Sequence, residues 1–310
     1  MPKLAYIFPG QGSQAIGMGK DLFDNFAAAR EVFEAADDAL DFSLSEMCFS
    51  GAETELQLTA NTQPAILTVS VAAYYAAMAE GLPEPDFVAG HSLGEYSALV
   101  AAGVLDFADA VRTVRKRGKY MQDAVPVGVG AMAAILGLDV VTVEAGCAEA
   151  AQGQVCSPAN INSPSQIVIA GNSEAVDRAC EILKDKGAKR AIKLNVSAPF
   201  HCALMMPAQT RLAADLAELE FGDFSFPILH NVDAAVNNSA SAVCDRLTRQ
   251  VSSPVLWLQT IEEMFEGGVD KFIEIGPGKV LTGLVRQINR DANYSNIENT
   301  EGLRNTLKTI

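Results

Sequence analysis

Residues 86–101 read DFVAGHSLGEYSALVA: a short run of apolar and small residues, then G-x-S-x-G, then residues at helical spacing. A strand that becomes a helix within so few residues needs small residues around the turn. The side chain at the apex, here Ser92, is then pushed into the open. The helix behind it offers free N–H groups and a favourable dipole to a developing negative charge. An ordinary βα turn with a serine N-cap would use the same residue type. The glycines on both sides, in this strand–turn–helix context, favour an exposed nucleophile.

The rest of the chain is consistent with an α/β fold carrying a largely parallel sheet, because strands and helices alternate from the start. KLAYIF is a strand. A helix opens at Asn61 with Pro64 in its first turn and runs to about Glu80. Asp106 caps another helix, FADAVRTVRKRGKYMQ. The character changes near residue 128: AMAAILG reads as strand, DVVTVEAGCAEAA as helix, VCSPANI and QIVIAG as two strands, SEAVDRACEILKDKG as helix and KRAIKLNV as strand. That β-α-β-β-α-β order is the ferredoxin-like signature. It makes 128–196 a small subdomain inserted in a larger body formed by 1–127 and 197–310. The body resumes with a helix (206–219), a strand at FPILHNV, two helices, a strand at KFIEIG and a helix after Gly276.

Composition narrows the function. With 310 residues, 49% of them hydrophobic, a large core is available. The 38 acidic and 23 basic side chains give a net charge of −15, which argues against general binding to nucleic acid or an anionic membrane. LAYIF is too short for a signal-peptide core, and AILTVSVAAYYAAMA falls short of a membrane span. The six cysteines form no CxxC pair and read as reduced thiols in a cytoplasmic protein. The three histidines, His91, His201 and His230, have no metal-ligand spacing.

A glycine-rich stretch, FPGQGSQAIGMGK (8–20), follows the first strand. Gly10-x-Gly12-x-x-Ala15 fits the start of a dinucleotide fingerprint, but residues 21–40 have helical spacing where that fold needs a second strand. A P-loop also fails, since Gly19-Lys20 is followed by Asp21. That leaves open a loop whose backbone N–H groups face something other than a nucleotide.

Ser92 needs a base. His91 is adjacent, and neighbouring side chains at such a turn diverge. His230 alternates with apolar residues in ILHNV and reads as structural. His201 sits in a Pro-bearing loop where the body resumes, the better setting for a functional group. Cys202 beside it reads as a small buried thiol. Arg117 is the most unusual residue. Arg112, Arg115, Lys116 and Lys119 share one basic helix face, whereas Arg117 lies on the stripe of Ala110, Val114 and Met121. An arginine there needs an anion, either a ligand or an internal partner such as Asp123.

Taken in order, FPGQGSQ, NTQPA (61–65), GHSLGEYSAL (90–99), RGKYMQ (117–122), N-x-NSP (160–164), PFHCALM (199–205) and EIGPGKVL (274–281) span nearly the whole chain. This ordered set resembles the malonyl-CoA:acyl carrier protein transacylases, stand-alone acyltransferases of dissociated fatty acid synthesis. The resemblance implies an α/β-hydrolase-like body with the ferredoxin-like insert. It implies Ser92 as the acylated nucleophile and His201 as its base, oriented by the backbone carbonyl of Gln250. The N–H groups of Gln11 and Leu93 would form the oxyanion hole. Arg117 would clamp the malonyl carboxylate, and His91 and Asn162 would line the pocket. The implied partners are malonyl-CoA, as substrate, and acyl carrier protein, with no metal or other cofactor. The segment Ala198-Pro-Phe before His201 varies among relatives that select other extender units. The rival enzyme is a G-x-S-x-G esterase or thioesterase using Asp223 and His230; a non-enzyme rival is an inactive carrier-protein-binding homologue.

Overall fold

The computed structural model describes residues 3–196 and 198–310. In chain order its strands are β1 (Lys3–Phe8), β2 (Phe87–Gly90), β3 (Gly130–Leu136), β4 (Cys156–Ser163), β5 (Gln166–Asn172), β6 (Arg190–Lys193), β7 (Ile228–Leu229), β8 (Val236–Asn237), β9 (Val269–Ile275) and β10 (Asn293–Ile297). One sheet has the order β10-β9-β1-β2-β7-β8 and the other β4-β5-β3-β6. The six-stranded sheet is parallel except for β8, which runs antiparallel on β7. In the four-stranded sheet every pair is antiparallel.

The strands at the centre of the large sheet are apolar because helices cover both faces. In β1 every residue from Leu4 to Phe8 is buried, the pattern of a parallel strand between two helical layers. Tyr6 and Phe8 face one apolar cluster, while Ala5 and Ile7 face a second with Trp257 and Phe272. Side-chain alternation along the strand divides them. The helix Thr59–Ala79 is apolar or small around most of its circumference, and all but a few of its residues are buried. That composition makes it an interior helix. It begins two residues before the expected Asn61, because the Asn61 and Thr62 N–H groups already close a first turn on the Leu58 carbonyl. Pro64 therefore stands in the second turn, inside the helix.

The helix Phe107–Asp123 starts where Asp106 accepts the Asp109 N–H. Two of the four cations on its basic face are paired, Arg112 with Asp109 and Lys116 with Asp215. The four-stranded sheet packs the helices Val140–Ala151 and Ser173–Asp185 against one face, with their own apolar cluster. Two strands are shorter than their sequence suggests, FPILHNV reducing to Ile228–Leu229 and KRAIKLNV to Arg190–Lys193. The edge strand Asn293–Ile297 and the helix Thr300–Leu307 have no counterpart in the sequence reading. NYSNI carries too few apolar residues to announce a strand; pairing with β9 alone makes it one. The expected resumption of the body at Ser197 lies outside the described residues.

Candidate active site

Ser92 leaves β2 at φ 52°, a left-handed conformation that non-glycine residues rarely adopt. The turn closes because its flanks lack side chains. A Cβ on Gly90 would fall 1.9 Å from the Gly94 carbonyl carbon, and one on Gly10 would fall 2.4 Å from the His91 carbonyl oxygen. These close approaches seat the N-terminal glycine-rich loop against the serine turn. Hydrogen bonds then hold Ser92 on both sides. Its N–H donates to Asn231 Oδ1 at 2.6 Å, and its carbonyl accepts from Gln250 Nε2 at 2.9 Å.

His201 is 3% exposed and also left-handed, at φ 58°. Its Nε2 lies 2.7 Å from Ser92 Oγ and its Nδ1 2.8 Å from the Gln250 carbonyl oxygen. A carbonyl only accepts, so Nδ1 carries the proton and the Nε2 lone pair faces the hydroxyl. Burial, and then the Arg117 charge, push the imidazole down to about 3, so at neutral pH it is a neutral base.

Arg117 is 1% exposed. Its Nη1 donates to Gln63 Oε1 at 2.7 Å, and its Nη2 to Gln250 Oε1 at 2.8 Å and Ser92 Oγ at 3.1 Å. Its guanidinium carbon stands 5.6 Å from the Tyr96 ring centre. All these partners are neutral. Asp123, the internal partner considered above, instead faces Arg211 at 3.7 Å on the surface. A buried cation beside a serine–histidine pair, with no carboxylate touching it, is the main electrostatic feature of the site.

These groups open on a cavity of about 310 Å³, lined by Gln11, His91, Ser92, Leu93, Arg117 and His201 among others. Met132 and Asn160 of the four-stranded sheet complete its wall, together with Leu194, Val196 and Phe200. Among the described residues, neither the Gln11 nor the Leu93 backbone N–H meets an acceptor. Such paired donors near a nucleophile can stabilise a developing oxyanion. Asn162 differs from expectation: it does not line the cavity but holds His91, with Oδ1 2.8 Å from the ring Nε2. Asn160, two residues earlier, takes the lining position.

His230 is fully buried, with Nδ1 2.6 Å from Glu95 Oε1 and Nε2 3.0 Å from Asn237 Nδ2, and makes no hydrogen bond to Ser92. Asp223 has no hydrogen bond to it. The esterase arrangement of Asp223 and His230 is therefore absent. Cys202 Sγ donates to the Pro199 carbonyl, and burial pushes its thiol up to about 11. It is no thiolate nucleophile. Among the described residues no group of three His, Cys, Asp or Glu side chains is placed to hold a metal ion, and no helix is long and apolar enough to cross a membrane.

Three polar residues in contact with this machinery escaped the sequence reading: Gln63, Glu95 and Asn231. Glu95 alone left a signal, a carboxylate inside the small and apolar helix GEYSALVA, the same kind of anomaly that singled out Arg117.

Residues 5–303 match the acyl transferase domain family, and the chain belongs to that family. The chain is 51% identical over 288 residues to the malonyl CoA-acyl carrier protein transacylase of Escherichia coli (strain K12), covering 93% of each protein. Its structure is similar to that of the malonyl CoA-acyl carrier protein transacylase from Coxiella burnetii, at TM-score 0.97 and 45% identity, over 99% of this chain and 98% of that one. It is similar, at TM-score 0.97 and 48% identity, to a malonyl-transacylase solved in complex with a type II PKS acyl-carrier protein, over 99% of this chain and 100% of the other.

Proposed function

We propose that this protein moves a malonyl group from malonyl-CoA to the phosphopantetheine thiol of an acyl carrier protein, supplying extender units for fatty acid biosynthesis. The observation that carries the reading is Arg117: a buried guanidinium with only neutral partners, bonded to the serine that faces a neutral histidine. Malonyl is an acyl group that bears its own carboxylate, and a guanidinium matches a carboxylate in a bidentate pair.

The steps follow a ping-pong sequence. His201 Nε2 takes the Ser92 proton as Oγ attacks the thioester carbonyl. The Gln11 and Leu93 N–H groups hold the tetrahedral oxyanion. Collapse breaks the C–S bond, and the proton on His201 goes to the departing CoA sulfur. The carrier-protein thiol then gives its proton to His201, attacks the Ser92 ester, and Oγ recovers the proton on leaving. The Gln250 carbonyl keeps His201 in the tautomer both halves require. His91, held by Asn162, contributes to the pocket wall. The β-α-β-β-α-β order of 128–196 and its separate apolar cluster support a ferredoxin-like unit inserted in an α/β-hydrolase-like body.

Intact-mass measurement after mixing with malonyl-CoA tests this. One malonyl group should appear on Ser92, persist in water, and leave on addition of holo carrier protein. Rapid release of malonate without carrier protein would identify a hydrolase instead.

The acylation rate should also hold steady as the pH falls from 8 to about 5, although a histidine titrating near its usual 6.5 would by then lose more than about tenfold of its base form. The lowered value keeps His201 neutral, and so able to accept the proton, through that window. For stability the sign is the reverse of a gain. The unfolded chain binds a proton near 6.5 and the folded chain only near 3, so stability is complete above 6.5 and falls as the pH drops toward 3. An inflection of the acylation rate at pH 6.5 would show that His201 is not held neutral.

A further inference from the structure

Glu95 lies in the first turn of the helix that follows Ser92 and is completely buried. No step above uses it. Its Oε1 faces His230 Nδ1 at 2.6 Å, and its Oε2 accepts the Asn231 N–H at 2.9 Å and a Gln250 Nε2 hydrogen at 2.9 Å. The protonation of His230 can be read from its other side. Asn237 Nδ2 donates to the Ser239 carbonyl while Asn237 Oδ1 accepts the Ser239 N–H, which fixes the amide orientation. The Nδ2 donor then meets His230 Nε2 at 3.0 Å, so Nε2 accepts and Nδ1–H donates to Glu95. Three donors thus converge on this one carboxylate.

Each arm leads back to the reacting groups. Asn231 Oδ1 accepts the Ser92 N–H, and Asn231 Nδ2 donates to the Gly90 carbonyl. Gln250 Nε2 donates to the Ser92 carbonyl, its own carbonyl accepts from His201, and its Oε1 accepts from Arg117 Nη2. The Gln250 amide therefore stands between a buried carboxylate and a buried guanidinium, with oxygen toward the cation and nitrogen toward the anion. A direct Glu95–Arg117 pair would occupy the guanidinium edge. At one amide's remove, the negative charge offsets burial of the cation without filling the place where a substrate carboxylate would bind.

We propose that Glu95 is a positioning residue for this reaction: it holds the left-handed Ser92 turn through Asn231 and Gln250, and serves as the relayed counter-charge that orients Arg117. The second half of this statement rests on the malonyl-transfer reading; the first half does not.

Glu95→Gln tests it, because an amide of the same shape must set its NH2 against a donor in either orientation. Acyl-enzyme formation is measured at varied malonyl-CoA and acetyl-CoA, alongside thermal unfolding. At saturation the folded variant should acylate about tenfold or more slowly with both thioesters, the scale of one lost hydrogen bond to a charged group. Half-saturation should rise for malonyl-CoA and stay unchanged for acetyl-CoA. If Glu95→Gln does not fold, Glu95→Asp keeps the charge but, one methylene short, cannot reach Asn231, Gln250 and His230 together, and should show the same fall in saturated rate.

Sulfonylation of Ser92 by phenylmethylsulfonyl fluoride needs no malonyl group and should slow in parallel. Unchanged sulfonylation in whichever variant folds overturns the positioning role, even if the melting temperature falls. Equal rises in half-saturation for both thioesters overturn the counter-charge role. Failure of the unsubstituted protein to take up malonyl at all would overturn the transfer reading, leaving the sulfonylation result to decide on Glu95 and Ser92.

Discussion

Ser92→Ala is expected to abolish acyl-enzyme formation, and His201→Ala to slow it by about 100- to 10,000-fold, the usual worth of a positioned general base. The asymmetry between the two comes from geometry. Ser92 Oγ is the hydroxyl that both His201 Nε2, at 2.7 Å, and Arg117 Nη2, at 3.1 Å, address. The neighbouring thiol of Cys202 is buried, raised in pKa and turned to the Pro199 carbonyl, so nothing substitutes for the serine. Without His201 the hydroxyl still opens on the cavity that Gln11 and Leu93 also line, and a slow reaction should remain. Mass spectrometry of each variant after malonyl-CoA measures both effects. His230→Ala should cost only about the tenfold expected of Glu95→Gln, since His230 acts through Glu95. A loss as large as that expected of His201→Ala, with His201→Ala itself harmless, would make His230 the base. Full labelling of Ser92→Ala at Cys202 would move the chemistry to the thiol.

Arg117→Ala should cut malonyl transfer by on the order of 100-fold or more, while acetyl-CoA loses little. Malonyl differs from acetyl by one carboxylate. Hydrogen bonds to a charged group are worth roughly 1.5–3 kcal/mol each, burying a carboxylate unpaired costs more, and about 1.4 kcal/mol is tenfold. The surroundings sharpen the expectation. Gln63, Gln250 and Ser92 are neutral acceptors, so they orient the guanidinium and leave its charge available. Arg117→Lys should restore only part of the rate, because an ammonium keeps the charge but cannot span Gln63, Gln250 and a carboxylate at once. Acyl-enzyme formation from both thioesters in the three proteins decides it. A uniform loss for malonyl and acetyl would make Arg117 a support for Ser92 and not a carboxylate clamp.

Much of this was legible in the sequence wherever a local rule acts. The G-x-S-x-G turn is one, since the clash of any Cβ at Gly90 with Gly94 is set by neighbours in the chain. The cap at Asp106 is another, as is the β-α-β-β-α-β order after residue 128, where the apolar period alternates between two and nearly four residues. Arg117 stood out because helical spacing alone places it on the buried stripe. Other features depend on what meets across the fold. NYSNI becomes a strand only beside β9, and Asn162 turns to His91 instead of the cavity. Periodicity can show that Arg117 is buried but not what it touches. Asp123, six residues on, points to Arg211, while Gln63 and Gln250, 54 and 133 residues away, hold the guanidinium. Likewise only the tertiary structure separates the histidines. His201 and His230 both stand among apolar neighbours in the sequence, and one reaches Ser92 while the other is held by Glu95. Local steric and hydrogen-bonding rules thus determined that a strained serine and a buried cation exist in this chain. Long-range packing decided which groups surround them, because a buried polar atom must find a partner and the chain can supply it from any distance.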